Sequence, residues 1–411
     1  FFVWEKQELL NTLPEELAKL AIELFNVTDD GNFESSNILY LPQLPESYAK
    51  ENNIALEQLR HDIQQIRELL YKRREQRIHP VRDEKVITAW NGMMITTLAL
   101  AGEQFAESRY TEVAIKAANF IWKHNRPAKG ELYRIYLNGK SSVAASQEDY
   151  AWMGEALVTL YDVTTNPIWL QRAQELADGM IKQFHDPETG GFYMSGSDAI
   201  LAGMVRGKNV TDAAIPSGNS VALSLLSQLA IRTGELRYGE FADETMATFA
   251  TMVERSPLSY TWFLLASEER IKGETGSVLY AGQGVVQAKV VAIHKEAKVW
   301  DLSVKLNIAE GWHVNSHRPI QEYLIATAIS LPEDSGWKLN TVDYPQPVIR
   351  NLGFSRELLA LYEGELTITA TLIQKSENSL QIPLTLKVQS CSEEICLAPE
   401  KLNFSLSTAR E

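Results

Sequence analysis

Cysteine is almost absent: 411 residues contain two, Cys391 and Cys396, both within SCSEEICLAP. Two cysteines cannot brace a chain of this length, so they form a local staple, a redox pair or unpaired core thiols. Long apolar runs are missing too; none approaches the roughly 18 residues needed to span a bilayer as a helix. Positive charge is in deficit, with 39 Lys and Arg against 53 Asp and Glu and a net charge of −14. Phosphate binding needs a basic patch, and here basic residues are interspersed with acidic ones, which sets nucleic acid aside. The opening FFVWEKQELL has neither an initiator Met nor a signal peptide, so the chain is expected to be part of something longer. What is present is a globular composition, 45% hydrophobic, at a length that predicts two domains.

Two kinds of helix alternate through the first two thirds. KVITAWNGMMITTLALAGEQF (85–105), DYAWMGEALVTLYDV (149–163) and SGNSVALSLLSQLAIRTG (217–234) are apolar nearly all round. RYTEVAIKAANFIWKHN instead places Val113, Ala117, Phe120 and Ile121 on one stripe, and PIWLQRAQELADGMIKQF does so with Trp169, Ala173, Leu176, Met180 and Phe184. A helix apolar all round must be covered on every side, and a one-stripe helix on one. The alternation therefore predicts an α/α toroid over 1–272, an inner ring of helices enclosed by an outer one. Connections from outer to inner helices are long (130–146 and 186–216) and those from inner to outer are short, which points to the rim where inner helices begin.

Polar residues gather at those starts. Asp83 leads to Trp90 and Asn91; Glu148, Asp149 and Tyr150 open the second inner helix; Arg206, Asp212, Ser217 and Asn219 surround the third. Each set has a capping reading, since acidic and hydroxyl side chains stabilise helix N-termini. Together they also have the composition of a carbohydrate site: Asp83, Asp149 and Asp212 as candidate acid or base, and Trp90, Asn91, Glu148, Tyr150, Arg206, Ser217 and Asn219 as binding groups. No metal or cofactor site is assigned.

RREQRIHPVRDEKVITAWNGMMI (73–95), EDYAWM, ETGGFYMS and RGKNVTDAAIPSGNSVALSLL (206–226), in that order, resemble the helical barrel of the thioredoxin-domain-containing family that includes spermatogenesis-associated thioredoxin-like proteins. The resemblance covers about residues 1–272. It implies a six-hairpin toroid like those of sugar epimerases and several glycosidases, incomplete here, and an amino-terminal thioredoxin-like domain that this sequence does not contain. The related epimerases use a pair of barrel histidines; the candidates here are His79, His124 and His185, with His124 expected as a solvated cation at the end of an outer helix.

Beyond Gly273 the period changes to two: in VWDLSVKLNI, Val299, Leu302, Val304, Leu306 and Ile308 largely alternate with polar residues. A β-sandwich over 285–411 is expected, after a linker at 273–284. His313 and His317 lie about 13 Å apart if extended, too far to share an ion, and are expected to be structural. Cys391 and Cys396 flank four residues, a hairpin spacing that brings them within disulfide reach. Glu393 and Glu394 inside the loop disfavour a thiolate, so the pair is suited to being attacked rather than attacking. GWHVN, the strand pattern and SCSEEICLAPEK resemble the amino-terminal domain of the thiol:disulfide interchange protein DsbD, an immunoglobulin-like module. That resemblance implies electron exchange with a thioredoxin-like partner and favours an exported location, with the cytoplasm as the alternative. Three readings stay open: a redox module carried on a helical scaffold, a carbohydrate-active enzyme of glycosidase or epimerase type, and a glycan-binding barrel without catalysis.

Overall fold

The computed structural model describes residues 1–126, 130–196, 205–352, 357–376 and 378–408. They pack as two compact units, Phe1–Glu84 and Lys85–Glu411. The first unit holds four helices, α1 (Lys6–Thr12), α2 (Glu15–Leu24), α3 (Pro45–Glu51) and α4 (Leu56–Arg74). Leu9, Leu13, Ala18, Ala21, Ile66 and Leu70 form one of its cores. Its aromatic opening forms an isolated bridge, Trp4 to Asn37. The Arg77 guanidinium covers the Trp4 ring at 4.1 Å and donates to the Phe1 and Val3 carbonyls.

The second unit begins with β1 (Val86–Ile87) and continues through α5 (Thr88–Gln104), α6 (Ser108–His124), β2 (Tyr133–Leu137), β3 (Lys140–Ala144), α7 (Gln147–Thr164), α8 (Pro167–Phe184), α9 (Gly218–Thr233), α10 (Leu236–Arg255) and α11 (Thr261–Lys272). Helices α5, α7, α9 and α11 pack in succession as one row, while α6, α8 and α10 each cover the inner helix before them. This two-layer order is what the alternating apolarity predicts. Helices α7 and α9 are buried on nearly every side, whereas α5 leaves Trp90, Met94 and Leu100 exposed. In α8 the expected stripe from Trp169 to Phe184 is buried in full.

In α6 the stripe is displaced: Ala114, Ala118 and Ile121 are buried, while Val113 and Phe120 are exposed and Ala117 is only half-buried. The cause is close packing, since a Cβ added at Gly102 of α5 would meet the Thr111 hydroxyl at 2.2 Å. Helices that close present small residues to each other, and larger ones move to the flanks. Phe120 packs there against His124 and Tyr136 of β2, so the His124 ring, expected to be solvated, is half-buried between aromatic neighbours.

From residue 278 the chain is all strand: β4 (Val278–Ala281), β5 (Val286–Glu296), β6 (Val299–Ile308), β7 (Trp312–Asn315), β8 (Ala328–Ser330), β9 (Trp337–Asp343), β10 (Val348–Arg350), β11 (Leu359–Tyr362), β12 (Glu365–Gln374), β13 (Gln381–Val388), β14 (Ser390–Ser392) and β15 (Glu400–Ser407). A five-stranded sheet, β4-β5-β6-β12-β9, shares one core with the three-stranded sheet β15-β13-β8. A four-stranded sheet, β10-β11-β7-β14, carries the cysteines. All pairings are antiparallel. Alternation in β6 runs through Trp300, Leu302, Val304, Leu306 and Ile308, so its first inward residue is Trp300 and not Val299. The expected linker at 273–284 instead contains β4, an edge of the five-stranded sheet.

Strands and helices meet at a buried charge. Arg232, at the end of α9, donates to both carboxylate oxygens of Asp162 at 2.9 and 2.6 Å and to Glu274 at 2.7 Å. Tyr280 of β4 donates to Asp162 at 2.6 Å and lies under the guanidinium, 4.8 Å from its centre. Burial pushes the Tyr280 hydroxyl well above its ordinary pKa, so it remains a donor. Next to it, Gly284 adopts φ +90°, and an added Cβ would lie 2.2 Å from the Arg232 carbonyl. Removing one member of a buried ion pair strands the other charge, which typically costs about 3–5 kcal/mol. Arg232→Leu is therefore expected to lower the unfolding free energy by about 3–5 kcal/mol, read as the shift in urea midpoint multiplied by the m-value; an unchanged midpoint would show that the junction contributes nothing to stability.

Candidate functional site

The rim at the inner-helix N-termini is a continuous set of ties. Asp149, fully buried, completes a capping box with Ser146: its Oδ2 accepts from the Ser146 backbone and hydroxyl, both at 2.9 Å. The same oxygen takes a 2.9 Å hydrogen bond from Arg134, and Oδ1 accepts from the Ala89 backbone at 3.0 Å. One carboxylate thus joins the starts of α7 and α5. Gln147 extends the series by donating to the Gly218 carbonyl at 2.9 Å, linking α7 to α9. Asp212 accepts from the Ser217 backbone at 2.9 Å and Ser220 hydroxyl at 3.1 Å, and its other oxygen accepts from the Trp262 backbone at 2.8 Å, linking α9 to α11. Four parallel helix starts concentrate unpaired N–H groups and positive dipole ends, which carboxylates neutralise.

In this geometry Asp149 and Asp212, read from the sequence as candidate acid or base, each accept from two neighbouring helix starts, which is the capping arrangement. Tyr150 is buried, its hydroxyl accepting from the Leu132 backbone and from Gln183 at 3.0 and 2.8 Å. Asn219 is buried and clamps Phe192 through both backbone groups, while Ser217 is the N-cap of α9. Arg206 donates to the Ser195 and Gln183 carbonyls and stacks over Tyr193 at 4.1 Å, holding the loop before α9. Residues 197–204 of that loop lie outside the described residues. Asn91 caps back onto the Ile87 carbonyl. Trp90 is exposed and Glu148 is partly so, paired to Arg134 at 3.5 Å. Asp83 belongs to the first unit, outside the one that carries this rim.

Sequence reasoning passed over Glu155. It is the one carboxylate inside the apolar middle of α7, and that interruption was its signal. Its Oε1 accepts from Gln228 at 2.9 Å and Ser224 at 3.4 Å, while Oε2 is buried with no partner among the described residues. Burial pushes its pKa up to about 7, opposed by Gln228 and Arg232.

The cysteines form the second candidate. Cys391 and Cys396 are joined by a disulfide with Cα atoms 4.0 Å apart. The Ser392 N–H to Ile395 carbonyl bond at 2.8 Å and the Leu397 N–H to Ser390 carbonyl bond at 2.9 Å bracket them, making the pair a non-hydrogen-bonded position of a tight hairpin. Glu393 and Glu394 form the tip, and the Ser392 hydroxyl accepts from the Glu394 and Ile395 backbones. Cys391 is buried and Cys396 is exposed. Arg350, 3.5 Å from Glu393 and 2.7 Å from Glu363, offsets part of the acidic charge expected around the sulfurs.

Residues 283–408 match the family described as thiol:disulfide interchange protein DsbD, N-terminal. The disulfide of this DsbD-like sandwich lies within the matched region. The helices carry a separate likeness: spermatogenesis-associated protein 20 of Homo sapiens is 26% identical over 287 residues, covering 63% of this chain and 36% of the relative. The chain thus spans well under half of the curated relatives it matches. Among solved structures, cellobiose 2-epimerase from Spirochaeta thermophila is 18% identical over 46% of this chain and 55% of its own, with a TM-score of 0.39. The reduced DsbD N-terminal domain of Neisseria meningitidis is 16% identical over 29% of this chain and 83% of its own, with a TM-score of 0.22. TM-scores this low carry no argument. No described helix is long and apolar enough to cross a membrane.

Two measurements check the rim. Asp149→Ala strands donors on two helices and is expected to cost about 3 kcal/mol in denaturant unfolding, against less than about 1 for Glu148→Ala; equal effects would remove Asp149 from its structural role. Glu155 tests the buried carboxyl. Because its folded pKa is raised, the folded state holds the proton more tightly, and stability falls as pH rises from the model-peptide value of 4.5 towards about 7. Glu155→Gln should therefore match the parent near pH 4 and exceed it at pH 8 by up to roughly 3 kcal/mol; a pH-independent difference would contradict the burial argument.

Proposed function

We propose that the sandwich is a thiol–disulfide exchange module whose Cys391–Cys396 pair passes electrons to or from a thioredoxin-like partner, with the helical part as a scaffold of six-hairpin toroid type. The observation that carries this reading is the asymmetry of the pair: one sulfur-bearing residue exposed at a hairpin tip, the other buried beneath it. Exchange begins with attack of a thiolate on one sulfur of a disulfide, and access decides which sulfur that is. Cys396 presents itself, so a partner thiolate bonds to Cys396 and Cys391 departs. The family match over 283–408 supports the same reading. A staple would serve stability better by closing a long loop, whereas this one closes five residue steps and constrains few unfolded conformations.

The carbohydrate reading rests now on the exposed Trp90 and on Glu148, since the buried carboxylates of the rim are tied into helix starts. Those two residues do not make a catalytic pair, and we do not assign glycoside chemistry to the helices.

The test is to equilibrate the 411-residue chain in glutathione buffers and follow the pair by thiol labelling. A potential between about −270 and −120 mV, the range of exchange-active proteins, is expected; one below about −300 mV would mark an inert staple and overturn the proposal. Cys391→Ser should in addition trap a mixed disulfide through Cys396, while Cys396→Ser should trap little.

A further inference from the structure

We propose that His313 is the proton acceptor for Cys391 when that residue acts as a thiol, an inference that rests on the exchange reading above. In the antiparallel pairing of β14 with β7, Cys391 lies directly opposite His313. Directly opposed residues share a face and hold their Cβ atoms about 4.5–5.5 Å apart, so the imidazole and the buried sulfur are neighbours. His313 is 1% exposed, and neither ring nitrogen has a hydrogen-bond partner among the described residues. The contrast with His317 is informative. That ring bonds the Tyr362 hydroxyl through Nδ1 at 2.7 Å and stacks on Tyr344 at 4.4 Å, as a structural histidine does.

A buried imidazole with both nitrogens unpaired costs desolvation energy and gains nothing from packing that an apolar ring would not supply. The missing partner is chemical. In the disulfide, Cys391 has no hydrogen to donate; once reduced, it carries an S–H on the position paired with His313, a ring with no other hydrogen-bond partner among the described residues. The charged groups that face the ring act in opposite senses, Arg350 of β10 disfavouring imidazolium and Glu393 of the hairpin favouring it, with Glu363 paired to Arg350. Burial is the largest influence and holds His313 at about 4, so the ring is neutral and free to accept at neutral pH.

The step balances as follows when a client disulfide is reduced. Cys396 thiolate attacks the client disulfide, one client sulfur leaves as thiolate, and Cys396 is joined to the other. The Cys391 sulfur then attacks Cys396 as its thiol proton moves onto the neutral His313 imidazole, the Cys396–client bond breaks, and the departing second client thiolate takes that proton from the ring in the same step, so no free imidazolium accumulates. The protein dithiol is oxidised by two electrons and the client disulfide is reduced.

The experiment uses reduced 411-residue protein mixed with oxidised glutathione, with mass spectrometry following the glutathionylated intermediate and release of the second glutathione. In His313→Gln, the first step should be unchanged and the second slowed about 10²-fold at pH 7, the usual scale of base assistance. Its pH profile should also change: the parent should resolve with a shallow dependence, whereas the variant should gain about tenfold per pH unit until the thiol itself ionises near 8.5. A variant that resolves at the parental rate with the parental profile overturns the assignment. If His313→Gln does not fold, imidazole NMR of the parent decides: ring-nitrogen shifts that move on reduction support the inference, and shifts that stay fixed overturn it. A parent that glutathione disulfide cannot oxidise sinks the exchange reading itself, a distinct outcome from a functioning pair indifferent to His313.

Discussion

The helical half depends on the disposal of its helix starts. Four inner helices begin at one face, and their unpaired N–H groups have to be satisfied without covering the face with another layer. The solution is to share acceptors: Asp149 serves α5 and α7, and Asp212 serves α9 and α11. Gln147 bridges the two pairs through the Gly218 carbonyl. Register between neighbouring helices is therefore set at the rim by directional bonds. The apolar middles of α7 and α9 then have only to fill space, which is why they tolerate Gly154 against Leu225 and a single acid, Glu155, among alkyl groups. Outer helices follow, each laid against an already positioned inner one.

The same economy explains what could be read in advance. Periodicity located five helices of the second unit, α5 to α9, and their alternation between two layers, because burial demand is written residue by residue; α10 and α11 were not read. The α8 stripe was legible in full for that reason. In α6 the reading failed by about one position, since apolar size attracts attention while close approach selects small residues such as Ala114 and Ala118. The rim was read from its polar residues with two meanings, capping and carbohydrate binding, that sequence could not separate. Carboxylates, amides and hydroxyls at helix starts look alike whether they face a ligand or a neighbouring backbone, and only geometry reveals that the lone pairs of Asp149 and Asp212 are engaged.

The strand half was legible in its alternation and in the cysteine hairpin, a local feature fixed by five residue steps. His313 was not, because its partner across the sheet is far along the chain and register between distant strands leaves no trace in either segment. The strand inside the stretch read as a linker was missed for a related cause: a short strand such as β4 becomes recognisable only through pairing with β5.

The junction around Arg232 has a practical side. Gly282 and Gly284, on either side of Gln283, form a turn packed against Ser390 on one flank and the Arg232 carbonyl on the other. Excising the strand half at residue 272 would uncover Tyr280 and leave Asp162 and Arg232 behind without it. The point where helices give way to strands is thus a poor place for dissection, and the thiol hairpin, whose first strand begins at Ser390, is properly studied on a chain that still carries its helices.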